Sequence, residues 1–98
     1  MSPTKRCLPA TCASQTEQCV RQLEFIMKAA GGTLDNIIKA TVYLMEGMDH
    51  AVFFDAYTEQ FRRRLASPWL PAGLTMELDA MRADCVVEID AVAWLGAR

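Results

Sequence analysis

The side chains of this sequence that could take part in acid–base or nucleophilic chemistry are few and widely spaced. The single histidine, His50, falls in the first turn of a predicted helix, where a surface position is the ordinary interpretation. Glu88 falls on one face of a predicted strand, which is typical of a carboxylate in solvent or at a subunit interface. One histidine and scattered acids do not make a nucleophile, base and orienting group. The residues alone therefore predict no catalytic set.

The cysteines could bind metal or form disulfides, and their spacing favours neither. Cys7, Cys12, Cys19 and Cys85 match no zinc-ligand motif and no CxxC redox pair. Cys19 lies on the apolar face of a predicted helix and Cys85 in a predicted strand, where free cysteine packs as a small core residue. We therefore expect free thiols and no metal, with Cys7 and Cys12 the pair most open to adventitious oxidation in air.

Length and charge exclude several classes of protein. The chain has 98 residues, of which 52% are hydrophobic and 22% charged, as in one globular domain. Its net charge of −2 provides no basic field for nucleic acid or an anionic membrane. No apolar run is long enough to span a bilayer, and Met1–Arg6 lacks the apolar core of a signal peptide. The expected location is the cytoplasm.

The first predicted element is an amphipathic helix. Ser14 and Glu17 have the spacing of a capping box, and Gly31 and Gly32 are expected to end the helix. Residues 1–13 are predicted to be an irregular arm, with a short edge strand inside it as the alternative. The predicted domain is therefore 14–98. The apolar stripe of the helix consists of Cys19, Val20, Leu23, Ile26, Met27 and Ala30.

A strand and a second helix follow. Residues 37–45 alternate as a strand does, with Ile38, Ala40, Val42 and Leu44 on one face. Asp49 is a suitable N-cap for a helix that runs to about Leu65. The apolar stripe of this helix, expected to be core or interface, is Phe53, Tyr57 and Phe61.

Two further alternating segments, 74–78 and 85–94, predict an antiparallel hairpin. The order α-β-α-β-β then makes an α+β fold with two helices on one face of a sheet. The other face is left uncovered, which predicts self-association. Between the second helix and the hairpin, the loop that carries Trp69 is expected to fold onto another surface, of which a neighbouring subunit is one candidate. The uncovered face is expected to include Tyr43 and Met45, with Val86 or Val92.

Several short motifs, in this order, resemble the RidA (YjgF/YER057c/UK114) family. The similarity extends from about Ser14 to Ala93, and the combination is more specific than any one motif. The motifs are Gln15-Thr16-x-Gln18, Ala29-Ala30-Gly31-Gly32-Thr33-Leu34-Asp35-Asn36, Ile38-Lys39-Ala40-Thr41-Val42-Tyr43-Leu44, Tyr57-x-x-x-Phe61, Pro71-Ala72 and Val87-Glu88-Ile89-Asp90-Ala91-Val92-Ala93.

The resemblance implies a chorismate-mutase-like fold and a homotrimer with ligand clefts between subunits. It also implies hydrolysis of reactive enamines and imines to 2-oxoacids and ammonia, with no metal or organic cofactor. In the family an arginine clamps the substrate carboxylate with two hydrogen bonds.

This sequence departs from the family at the residues of that cleft. Gly73 stands at the position of the clamping arginine, and the next arginine, Arg82, is not expected to reach the cleft. Phe54 replaces an asparagine and Thr75 a cysteine. The hairpin and strand that precede the first helix in the family have no counterpart in residues 1–13. The glutamate that positions water in the family is kept as Glu88.

The sequence therefore predicts an oligomeric RidA-like protein without catalytic activity, which binds a small molecule or a protein partner at an intersubunit cleft. The predicted ligand-binding residues are Gly73, Thr75, Trp69 and Phe54, and Glu88 is the catalytic candidate. The alternative is a hydrolase resembling 2-iminobutanoate/2-iminopropanoate deaminase, with another cation in place of the arginine. A ribonuclease is disfavoured by the acidic net charge.

Overall fold

The computed structural model describes residues 9–67, 69–81 and 85–96. Within these ranges the order α-β-α-β-β is confirmed, with one short 3₁₀ turn before the first strand. The elements are α1 (Pro9–Ala29), the 3₁₀ turn (Leu34–Asn36), β1 (Ile37–Met45), α2 (His50–Arg64), β2 (Ala72–Leu78) and β3 (Val87–Ala93).

Helix α1 begins at Pro9, so the predicted capping box of Ser14 and Glu17 is wrong, and residues 9–13 of the predicted arm are helical. Proline is tolerated in a first helical turn because its missing amide would have no intrahelical partner there. The predicted edge strand falls on residues outside the described part of the chain. Ile26 is 57% exposed rather than in the stripe. The buried stripe reaches further back than predicted and contains Cys12, Thr16, Val20 and Met27.

The glycine ending of α1 is confirmed. The Gly32 amide donates to the Met27 carbonyl at 2.8 Å, and the Gly31 amide donates to the Lys28 carbonyl at 3.1 Å. Gly31 has a φ of 89°, a left-handed conformation that glycine adopts without a steric penalty. This pair of hydrogen bonds is a Schellman motif, which satisfies two carbonyls at the helix end.

The three strands lie in the order β2-β1-β3, so the predicted hairpin of β2 and β3 is wrong. Strand β1 pairs in parallel with β2 and antiparallel with β3. Helix α2 makes the crossover that a parallel pair requires. Strand β3 then pairs with the free edge of β1. Strand β1 is therefore central, and it carries the most buried side chains of the sheet.

A bulge between Ile37 and Lys39 changes which side chains of β1 are buried. Ile37 turns toward the core and Ile38 is 56% exposed, so the prediction for Ile38 is wrong. A bulge adds one residue to one strand, which reverses the alternation on one side of it.

The sheet face that carries Ala40, Val42 and Leu44 is covered by the helices, and all three side chains are buried. Val86, one of the two valines offered for the uncovered face, is instead buried in the hydrophobic core, and its backbone joins two elements. Its amide donates to Oε1 of Gln15 on α1 at 2.8 Å, and its carbonyl accepts from the Met45 amide at 2.9 Å.

Helix α2 follows the sequence prediction closely. The Asp49 carboxylate accepts hydrogen bonds from the Ala51 and Val52 amides at 2.9 and 3.3 Å, which confirms the N-cap. At the other end, Nε of Arg64 donates to Oε1 of Glu24 on α1 at 3.1 Å. No helix in the described ranges is long and apolar enough to cross a bilayer. The predicted stripe is confirmed as core, with Phe53, Tyr57 and Phe61 all buried.

Asp35 holds the loop that leads from α2 to β2. Its carboxylate accepts hydrogen bonds from the Ala66 amide at 3.1 Å and the Ser67 amide at 3.0 Å. These two hydrogen bonds, Ala66 first, lower the pKa of Asp35 below its ordinary value of 3.8. The ionised carboxylate therefore stabilises the path of the chain toward Trp69.

We expect Asp35→Asn to lower the free energy of unfolding at pH 7 by about 1 kcal/mol, since the group is exposed and its hydrogen bonds are partly screened. A lowered folded pKa gives stability that is complete above pH 3.8 and is lost as the pH falls through the folded pKa. Urea unfolding at pH 7 and at about pH 2 should therefore show the gap between parent and variant closing in acid. Asp55→Asn, at an exposed position of α2, is the control. A gap that is the same at both pH values would contradict this role of Asp35.

Candidate functional site

A cleft of about 180 Å³ lies between α2 and β2 and brings together three of the four predicted ligand-binding residues. Ligand pockets for drug-sized molecules are usually larger than about 300 Å³, so this cleft suits a small ligand. Helix α2 supplies three aromatic rings, and Tyr57, four residues after Phe53 and three after Phe54, lies beside both of them. Six of the lining residues are Phe53, Phe54, Tyr57, Pro71, Gly73 and Thr75.

The aromatic wall is ordered by ring contacts. The rings of Phe54 and Tyr57 stack with centroids 6.3 Å apart, and Phe53 and Tyr57 are 5.3 Å apart. Phe54 is 55% exposed and forms the outer part of this wall. The sequence spacing of Tyr57 predicts a core position, and Tyr57 is buried. It also lines the cleft, and its position one turn after Phe54 is the signal in the sequence that could have shown this.

The described lining of the cleft is electrically neutral. Among the described residues that line it, none carries a charged side chain, and the side-chain hydroxyls are those of Tyr57 and Thr75. Burial raises the pKa of Tyr57, which keeps its phenol protonated. A neutral hydroxyl can donate or accept one hydrogen bond but cannot neutralise a carboxylate. The arrangement therefore suits an uncharged ligand with an apolar part.

Gly73 lines the cleft and pairs with Ala40 of β1. A Cβ atom at this position would lie 2.9 Å from the Ala40 carbonyl oxygen, closer than real Cβ contacts allow. Any larger residue would have to move the backbone of one strand. At this position β1 and β2 are therefore closer together than an arginine, or any residue with a Cβ atom, would allow.

Trp69 lies outside the cleft, on the rim of a neighbouring depression of about 230 Å³. The same depression is lined by Ile38 and Leu70, and Leu70 also lines the cleft. Trp69 is 79% exposed, which leaves a large apolar surface in solvent within one chain. Its predicted contact with a neighbouring subunit stays a prediction.

Glu88 does not meet the cleft within one chain. It pairs with Tyr43 on the uncovered face, whereas Thr75 pairs with Val42 on the helix-covered face. The two residues also belong to strands at opposite edges of the sheet. Bringing Glu88 to a ligand in the cleft therefore requires a second subunit, and its catalytic role stays a prediction.

His50 forms a contact that the sequence did not indicate. Its Nε2 lies 2.5 Å from Oε2 of Glu77, and both side chains are about half exposed. The pair joins the first turn of α2 to β2, as a surface position for His50 allows. Among the described residues, no three histidine, cysteine or acidic side chains come together as a metal site. Arg82 lies outside the described residues.

Comparison with known proteins agrees with the fold and motifs. The family model described as Endoribonuclease L-PSP matches residues 2–95. The protein is thus of the class with an α+β, chorismate-mutase-like fold. It belongs to the RidA (YjgF/YER057c/UK114) family, which confirms the resemblance seen in the sequence.

Three similar proteins illustrate the range of the family. A RutC family protein of Pyrococcus horikoshii is 34% identical over 80 residues, covering 82% of this chain and 60% of that protein. The 2-iminobutanoate/2-iminopropanoate deaminase of Bos taurus is 30% identical over 89 residues, covering 91% and 61%. The YjgF gene product of E. coli has a TM-score of 0.77 at 28% identity, covering 86% and 65%. The chain spans about three fifths of the length of these two curated relatives.

Proposed function

We propose that this protein is a non-catalytic member of the RidA family that binds a small uncharged molecule in the cleft between α2 and β2. The observation that carries the proposal is Gly73, where the resemblance places an arginine that clamps a carboxylate. Because the described lining is neutral, nothing in it compensates the charge of an acidic ligand. A charge-assisted bidentate pair is among the strongest polar contacts, so its loss removes the basis of carboxylate recognition.

The proposal includes a cytoplasmic homotrimer. It is supported by apolar side chains exposed on the open sheet face, among them Leu74 (57%) and Val92 (54%), and by the exposed Trp69. Leaving such a surface in water costs roughly 25 cal/mol per Å², and copies of the same chain commonly cover it. The free thiols of Cys19 and Cys85 favour a reducing compartment. Sedimentation that finds only a 10.9 kDa monomer would remove this part of the proposal.

The second candidate is an imine deaminase, favoured by the name of the Bos taurus relative and by Glu88 at the position of the family's water-positioning glutamate. This function needs a second subunit to bring Glu88 near the cleft and a cation to replace the lost arginine. Because the described cleft residues provide no such cation, we rank it below binding.

Binding is tested with benzamide and benzoate, two probes of nearly equal shape that differ in charge. Isothermal titration should find benzamide bound at least as tightly as benzoate, because the cleft offers hydroxyls but no counter-charge. Phe54→Ala should weaken benzamide binding about fivefold, since a stacking wall is worth about 1 kcal/mol. Phe25→Ala, which removes a 75% exposed ring from α1, should leave binding unchanged. A clear preference for benzoate would contradict the neutral cleft.

Catalysis is tested by ammonia release from imines that a threonine dehydratase generates in the assay. The proposal expects the same background rate for the parent protein and for Glu88→Gln. Release above background that Glu88→Gln abolishes would establish the deaminase instead. Since Glu88 lies away from the cleft in one chain, benzamide binding by Glu88→Gln should match the parent, which separates the two functions.

A further inference from the structure

Two cysteines distant in sequence meet where α1 packs beside the start of β3. The Cys19 thiol donates a hydrogen bond to the Val87 carbonyl oxygen at 3.7 Å. The Cys85 thiol donates to the same oxygen at 3.3 Å. Both sulfur atoms therefore contact one carbonyl oxygen, although the two cysteines lie on segments that are far apart in the chain.

We propose that Cys19 and Cys85 are a redox modification site, at which peroxide oxidation forms an intrachain disulfide that ties α1 to β3. This inference is independent of the proposed ligand cleft, which lies along β2 at the opposite edge of the sheet.

The backbone around the pair is already held in place. The Val86 amide donates to Oε1 of Gln15, one turn before Cys19 on α1, at 2.8 Å. The Val86 carbonyl accepts from the Met45 amide on the other side. Both cysteines are free and partly exposed, so a small oxidant can reach them. On this proposal the sulfurs approach each other by side-chain rotation, across a junction that these hydrogen bonds hold.

The proposed oxidation has two steps. Burial first, and the neighbouring Cys85 second, raise the pKa of Cys19 to about 11, although the Ile89 amide opposes this shift. Cys19 is thus mostly protonated and a poor first nucleophile, so we assign the attack on peroxide to Cys85. Its sulfur is oxidised to a sulfenic acid as hydrogen peroxide is reduced and one water leaves. The Cys19 sulfur then displaces the hydroxyl of that sulfenic acid, and a second water leaves as the S–S bond forms.

The location of the disulfide can be read directly. The reduced full chain is treated with one equivalent of hydrogen peroxide, alkylated and digested with Glu-C without reduction. Cleavage after Glu17 separates Cys19 from Cys7 and Cys12. The expected product joins peptide 18–24 to peptide 78–88. Before alkylation and digestion, the mass of the intact chain should fall by two hydrogen atoms on oxidation. A disulfide that joins two chains or that joins Cys85 to Cys7 or Cys12 would overturn the proposal, as would oxidation that leaves Cys85 in no disulfide.

A stability measurement gives a second readout. Because the disulfide closes a long loop, the oxidised parent should melt about 10 °C or more above the reduced parent, and dithiothreitol should reverse this. Cys85→Ser should lose the peptide link and the thermal shift, whereas Cys12→Ala should keep both. An oxidised parent that melts at the same temperature as the reduced protein would contradict the link. If a variant does not fold, the peptide map of the parent decides alone.

Discussion

Replacing Phe61 with alanine is expected to lower the free energy of unfolding by about 3–5 kcal/mol. Phe61 is fully buried, and its ring centroid lies 4.8 Å from that of Tyr57. Truncation removes the buried ring and leaves a cavity that the surrounding helices and sheet fill only in part. A domain of this size is stabilised by about 5–15 kcal/mol, so the variant should be close to unfolding at 37 °C.

Phe54→Ala is the matched control, because it removes the same ring from the same helix at a position that is 55% exposed. It should cost less than about 1.5 kcal/mol, the size of one aromatic contact. Urea unfolding followed by circular dichroism, at one protein concentration for all variants, measures both. If Phe61→Ala costs no more than Phe54→Ala, the core assigned to α2 is wrong.

The second large effect is expected at Gly73. Glycine inside a strand usually costs about 0.5–1 kcal/mol relative to alanine. Here we expect the opposite sign: Gly73→Ala should lower the free energy of unfolding by about 1–3 kcal/mol. The reason is the 2.9 Å approach of a Cβ atom to the Ala40 carbonyl, a backbone atom that cannot rotate away.

Gly73→Arg should destabilise the protein at least as much as Gly73→Ala. It should also not bring imine hydrolysis, because the new side chain displaces the strand that must position its guanidinium group. Ala72→Arg places the same side chain one residue earlier, at an exposed position, and should be tolerated. Urea unfolding and ammonia release measure the two effects. A Gly73→Arg protein as stable as the parent and active on imines would show a cleft complete except for its clamp, and would overturn both expectations.

Predictions from local sequence signals are confirmed where a structural feature depends on residues that are close together in the chain. The glycine ending of α1 and the Asp49 cap depend on hydrogen bonds within a few residues of the chain. The buried stripe of α2 depends on the period of the helix. The family motifs together predicted the fold class, because they occur in the order of the helices and strands that make up that fold.

Three predictions that depend on distant parts of the chain are wrong, although the fold class is confirmed. The spacing of β2 and β3 suited a hairpin, but both strands pair with β1 instead. The start of α1 was placed at Ser14, because the sequence does not show that Cys12 packs into the core. The bulge near Ile38 moved that side chain into solvent. Each of these outcomes is a choice between packing partners, which local propensity does not encode.

For the candidate site, the sequence by itself determined which groups are available. By the resemblance, Gly73 stands where the family has its clamping arginine and Glu88 matches the family's glutamate, and both assignments stay predictions. Only the tertiary structure decided where these groups lie. Pairing with β1 sets Glu88 and Thr75 on opposite faces of the sheet and brings Gly73 against Ala40. The packing of α1 beside β3 likewise brings Cys19 to Cys85, because side chains far apart in the chain meet only when the elements that carry them pack.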